Sequence, residues 1–360
     1  MNIDNVYTDL KKQLKAELPF VIYRKANTQE IDVFLQEDDE LYEYKDNTIS
    51  GFVFAPFNTL EKTVLIPMDK SICYTVTITS PTNIDKNEND VKYDSVLASS
   101  AKEEHMQLVR RGIDAIKAKC FKKVVLSRKE EVVCENNDAL EIYKRLVMNY
   151  PKAFVYCWYH PKIGMWLGAT PETLLHVKEN HFYTMALAGT QPYLGEMNVE
   201  WGDKEIEEQK MVTDFILDEL TPVSKRIESS NVYTYRAGTL LHLRTDIKVV
   251  LKTASSDIAK VIQIVHPTPA VCGLPKKDAK SFILEYEGYD RKYYTGFLGE
   301  LNVNRNGKIE SSLFVNLRCM EMKPDKAILY VGGGITKDSE PEKEWEETVK
   351  KTETMKKVLF

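Results

Sequence analysis

The sequence has no CxxC pair. Its six cysteines, Cys73, Cys120, Cys134, Cys157, Cys272 and Cys319, are scattered along 360 residues. That spacing argues against a zinc ribbon or a disulfide scaffold and fits buried, reduced thiols in a cytoplasmic protein. No apolar run approaches the roughly 20 residues that a membrane helix needs. The opening stretch MNIDNVYTDLKKQL lacks the apolar core of a signal peptide. There is no basic excess either: 49 Lys and Arg stand against 54 Asp and Glu, a formal net charge of -5. A nucleic-acid partner is therefore not expected. Nor is there an internal repeat or a low-complexity tract. What remains is 43% hydrophobic and 10% aromatic, enough core for one large domain or two ordinary ones.

Along the chain, FVIYRK and ISGFVFAPF read as strands. The polar stretch SPTNIDKNENDVKYD, residues 80–94, reads as a boundary or a long surface loop. Nothing after it reads as a linker. We therefore expect 1–94 and 95–360 to be two parts of one structural domain. An amphipathic helix follows, with Ser100 and Glu103 as a capping box and Met106, Val109, Ile113 and Ile116 at helical spacing. Strands are expected at KKVVLSR, AFVYCWY, GMWLGAT, DIKVVLK and AILYVGGG, with helices after Asp138, over about 203–220, at ASSDIAKVIQIV and at the C-terminal end. A hairpin is expected to turn at Asn306-Gly307. Paired strands and hairpins with helices between them predict an α+β fold.

Chemistry concentrates in a few segments. After the apolar run LYV come Gly332, Gly333 and Gly334, then five glutamates and an aspartate within fourteen residues. Glycine weakens a strand end unless backbone or ligand must come close there. Glu344 and Glu347 are three apart and share a helix face, with Trp345 directed to the core. Two such carboxylates plus a third could hold Mg²⁺, which prefers hard oxygen. GDKEIEEQKMV offers that third: Glu205 and Glu208 share a face, and Ile206 and Met211 are expected to point inward. Arg318, inside the apolar run FVNLRC, needs a bidentate carboxylate or a structural ion pair. In FKKVVLSR two adjacent lysines face opposite ways, and alternation with Val125 directs Lys123 inward. A lysine desolvated near other cations can act as a base. Glu172 follows a strand and a Thr-Pro turn, and either starts a helix or does chemistry. His242 and His266 are each a core histidine or a ligand.

In order, KKVVLSR, GATPETLL, LAGTQPY, DKEIEEQKMV, LHLRT, HPTPAVCGLPK, YYTGFLGE, LFVNLRC and VGGGITKDSEPEKEWEETVKK resemble the chorismate-utilising enzymes over about residues 95–355. Residues 1–94 match loosely. Within that family the sequence is most similar to the isochorismate synthases. Amide-transferring relatives usually carry glutamine where this chain has Lys123, and the aminodeoxychorismate type tends to a lysine where this chain has Ala188. The resemblance implies a two-sheet, mostly antiparallel β core with helices outside, and a Mg²⁺-dependent isomerase needing no glutamine amidotransferase subunit. It implies that Lys123 deprotonates a water attacking C2 of chorismate while Glu172 protonates the departing C4 hydroxyl. Glu208, Glu344 and Glu347 would hold Mg²⁺ at the C1 carboxylate, with His242 nearby. Tyr294, Arg318, Gly332 and Gly334 would hold the enolpyruvyl carboxylate. Gly189 and Thr190 would line the ring site, and Lys351 would lie by the metal. The product class feeds menaquinone and catechol siderophores. Salicylate synthase, which goes on to eliminate pyruvate, is the alternative. Gln209 stands where the family often has histidine, and the segment from Glu172 to Glu208 is shorter than in many relatives.

Overall fold

A computed structural model describes residues 3–45, 49–78, 99–134, 138–252, 258–305 and 307–360. The 80–94 stretch and Asn306 lie outside those residues. Runs rich in β-branched and aromatic residues pair into two sheets whose described neighbours are all antiparallel. The nine-stranded sheet runs in the order 273–274, 123–133, 326–335, 319–322, 164–170, 154–160, 20–24, 30–36 and 71–77. The ten-stranded sheet runs 224–229, 240–251, 181–192, 173–178, 308–315, 297–305, 51–55, 64–67 and 42–43, with 233–237 paired to 240–251. The architecture is α+β, two facing antiparallel sheets with helices outside.

Aromatic side chains fill the space between the sheets. Tyr23, Phe34, Phe154, Tyr156, Trp158 and Trp166 from one sheet meet Phe52, Phe54, Leu298 and Phe314 from the other. The rings of Phe154 and Phe314 stack with centroids 4.0 Å apart. Residues before 78 supply three strands to each sheet. A buried polar knot ties them to the rest: Glu300 is engaged by Tyr23, by Lys25 at 2.7 Å and by Arg305.

Helices cover the outer faces. Met106, Val109, Ile113 and Ile116 of Ser99–Lys117 are buried as their spacing predicts. Asp138 caps Ala139–Asn149 by accepting from the amides of Leu140 and Glu141. Helix Asp203–Leu220 departs from expectation. Its buried face is Gln209, Val212, Ile216 and Leu220, Ile206 is 49% exposed and Met211 only half-buried. The Gln209 amide can take the inward position because Thr213 and Thr245 accept from it at 2.9 and 2.8 Å. Trp345 is buried under the Arg128 guanidinium, 4.4 Å from its ring centroid. All six cysteines are free; Cys120 is exposed, against expectation, because it follows the exposed end of helix Ser99–Lys117. No described helix is long and apolar enough to cross a membrane.

Candidate active site

The chain crosses between the sheets twice at one place. Strand Gly164–Thr170 belongs to the first sheet and Thr173–Lys178 to the second, so Pro171-Glu172 is a crossover. Strand Lys308–Val315 belongs to the second and Cys319–Met322 to the first, so residues 316–318 form another. Backbone bonds join the two: Val315 N–H donates to Glu172 O at 3.0 Å, and Ala169 N–H to Arg318 O at 3.0 Å. The Thr170 hydroxyl donates to Val315 O at 2.6 Å. Glu172 and Arg318 are thus fixed side by side where the sheets part. Arg318 adopts a left-handed backbone, φ 47°, a conformation that costs energy outside glycine and is held by its surroundings.

A cleft opens there, with about 600 Å³ of space including its mouth. It gathers Glu172, Gly189, Thr190, Glu208, His242, Tyr294, Arg318, Gly332, Gly334, Glu347 and Lys351. Of the residues that the resemblance assigns to the site, Lys123 and Glu344 do not line it themselves, but both touch residues that do. Lys123 is 0% exposed. Its Nζ lies 2.9 Å from Glu208 Oε1, yet forms no angularly sound hydrogen bond among the described residues. Glu172 is buried, and that burial pushes its carboxyl up to about 8 against the opposing charges of Lys123 and Arg318. Arg318 has no ion-pair partner among the described residues.

The glycine strand explains itself in register. Gly332 faces Ser127 and Gly334 faces Val125. Val125 turns its N–H away, to Cys272 O at 2.7 Å, and Ser127 N–H goes to Glu287 Oε1 at 2.7 Å. Those are therefore non-hydrogen-bonded pairs. The amides of Gly332 and Gly334 consequently face the other edge, where pairing with Cys319–Met322 ends at Cys319 opposite Tyr330. Lys351 already uses that edge, donating to Gly332 O at 2.9 Å. A Cβ at Gly334 would sit 2.3 Å from Glu208 Oε1 and 3.0 Å from Lys123 Cε, and one at Gly333 3.3 Å from Glu344 Oε2. The strand must be bare because carboxylates lie on it.

Each of the three carboxylates is held by a lysine. Glu208 meets Lys123, Glu344 meets Lys204 at 2.5 Å, and Glu347 meets Lys351 at 2.5 Å. Burial, then Glu347, pushes Glu344 up. For Glu347 burial is outweighed by Lys351 and Lys204, which hold it below the ordinary range. Among the described residues no three donors form a ready coordination shell. The donor set nonetheless fits a hard divalent ion: all oxygen, three carboxylates against one glycine strand, with Glu344 Oε2 buried and unpartnered.

His242 hydrogen-bonds through Nδ1 to Gly189 O at 2.8 Å, leaving Nε2 buried and unpartnered. Burial and then Arg318 lower it to about 3, so it is neutral. With Nδ1 donating to a carbonyl, Nε2 is an acceptor. It suits a hydroxyl or a water rather than a carboxylate. His266 is buried edge-on against Phe297 and does not line the cleft.

Sequence reasoning missed Lys204, Glu287 and Arg291. Arg291 donates to Val125 O, Val271 O and Thr295 Oγ1 at 2.7, 3.0 and 3.1 Å and pairs with Glu287. It thereby ties three cleft walls together. Arg291 lies two residues before YYTGFLGE, and nothing local distinguishes it from a surface arginine.

Residues 68–360 match the family described as chorismate binding enzyme. The chain belongs to that family. It is 30% identical over 261 residues to the salicylate biosynthesis isochorismate synthase of Pseudomonas aeruginosa, a match covering 70% of this chain and 53% of that one. To the vibriobactin-specific isochorismate synthase of Vibrio cholerae it is 28% identical over 272 residues, covering 72% and 67%. The chain thus spans about half the length of the first relative and two thirds of the second. The solved menaquinone-specific isochorismate synthase of Escherichia coli shares the fold, with TM-score 0.76 and 21% identity over 95% of this chain and 89% of that one.

Proposed function

We propose that this chorismate-binding family member is an isomerase converting chorismate to isochorismate. One observation carries the reading: Glu172, a buried carboxyl pushed up to about 8, keeps its proton at neutral pH in a cleft that it shares with Glu208, and Glu208 in turn touches the buried amine of Lys123. That is the requirement for expelling a hydroxyl from a ring, since a protonated acid lets it leave as water. Lys123 takes a proton from water as its oxygen bonds to C2. The two ring double bonds shift, the C4–O bond breaks, and Glu172 gives its proton to the leaving oxygen. One water enters and one leaves, so the reaction balances without a redox partner or an ammonia-supplying subunit.

Arg318, Tyr294 and the outward amides of Gly332 and Gly334 bind the enolpyruvyl carboxylate. Gly189 and Thr190 bound the ring, and His242 Nε2 accepts from a hydroxyl or from the water. Glu208, Glu344 and Glu347 would hold Mg²⁺ in exchange for their lysine contacts, and Lys351 stays beside them. The ion would supply positive charge for the C1 carboxylate.

Incubating the chain with chorismate and Mg²⁺ and resolving products by liquid chromatography tests this. Isochorismate without salicylate or pyruvate is expected. Salicylate with equimolar pyruvate would move the reading to salicylate synthase, and no conversion would refute both.

A further inference from the structure

A second cavity, about 740 Å³ with its mouth, adjoins the cleft. Pro171 and Arg318 line both spaces, so the two meet at the Arg318 side chain. The charged side chains lining this outer cavity are Lys152, Arg236 and Arg318, and among the described residues no carboxylate lines it. Lys152 and Arg236 are exposed at the mouth. Arg236 is nonetheless held: its guanidinium lies 3.6 Å from the Tyr193 ring centroid and its Nε donates to Gly238 O at 2.9 Å. Tyr193 is itself pinned, its N–H donating to Thr239 O at 2.9 Å. It lies three residues beyond Thr190, just past the end of strand His181–Pro192, which lines the cleft.

We propose that this cavity is the entrance for the substrate, a cyclic dicarboxylate, whose charge is passed from Lys152 and Arg236 to Arg318, which has no ion-pair partner among the described residues. The assignment rests on the substrate class proposed above. A chain of net charge -5 repels a dianion on average. A recess lined by one sign of charge concentrates the opposite sign and raises capture. Lys152 and Arg236 stand outside the reacting groups, so they act on capture and not on the chemical step.

The test is the Lys152→Glu/Arg236→Glu double variant, with Lys152→Gln/Arg236→Gln beside it, assayed with chorismate at low and high salt. For the charge reversal, kcat/KM is expected to fall about tenfold at low ionic strength, with kcat and Tm unchanged. The gap should close to about twofold near 0.5 M salt, where exposed charges are screened within about 4 Å. The neutral pair should fall between. Unchanged kcat/KM at low salt, a loss indifferent to salt, or a loss in kcat would each overturn the entrance. No chorismate turnover by the unsubstituted chain would instead overturn the functional reading, and the entrance with it.

Discussion

Lys123 meets Glu208, which lines the cleft, Nζ to Oε1 at 2.9 Å, the lysine on a strand and the glutamate on a helix. The proposed base is therefore in direct contact with a proposed metal ligand. Lys123→Met removes the amine and keeps an apolar stem of similar length. Turnover of chorismate should fall roughly 10²–10⁴-fold, the usual worth of one general base. Far-UV circular dichroism should be unchanged. Full activity in this variant contradicts the assignment.

Glu172 gives a pH dependence with a definite sign. As an acid pushed up to about 8, it is competent below that pH and lost above it. kcat/KM should decline on the alkaline side with an apparent pKa near 8, and Glu172→Gln should lose both activity and that limb. Stability runs the same way. Between its ordinary 4.5 and about 8 the folded state binds the proton that the unfolded state releases, so stability falls as pH rises through that window. Glu172→Gln should therefore be more stable than the parent at pH 8 by up to a few kcal/mol, and so melt at a higher temperature. A lower melting temperature there would show that burial of this carboxyl carries no such penalty.

Much of this was legible in the chain. Apolar segments marked the strands, helical spacing and Asp138 marked helices, and the glycine triplet announced a close approach. What could not be read is tertiary. That Glu172 and Arg318 stand side by side follows from two sheet crossovers bonded to each other, and no local pattern carries that. Lys204, which meets Glu344, comes from a helix far from it in sequence, and nothing local marks it. Ile206 misled because apolar residues mark an inward face only when no satisfied polar side chain takes the place, and Gln209 does.

Gly334→Ala tests the bare strand. The new methyl would lie 2.3 Å from Glu208 Oε1, so the carboxylate must move. Mn²⁺ binding, followed by electron paramagnetic resonance, should weaken at least tenfold, about 1.4 kcal/mol. Gly333→Ala, whose methyl would lie 3.3 Å or more from the carboxylates, should weaken it less. Equal affinities in both variants would separate the glycines from the ion.

Arg291 and Glu287 have side chains 2% and 1% exposed. Arg291→Met leaves Glu287 as a buried charge without its partner, which costs about 3–5 kcal/mol. Urea denaturation should show that loss, and the double variant Arg291→Met/Glu287→Leu should recover part of it. A loss under about 1 kcal/mol, the range of a surface pair, would contradict the clamp.

The most direct test of acid and base acting on opposite partners is the fate of oxygen. Chorismate turned over in heavy-oxygen water with Mg²⁺ should give isochorismate whose new hydroxyl carries the solvent label, and neither Lys123→Met nor Glu172→Gln should form it at more than a trace. Unlabelled isochorismate from the parent chain, or labelled product at the parental rate from either variant, would contradict the account.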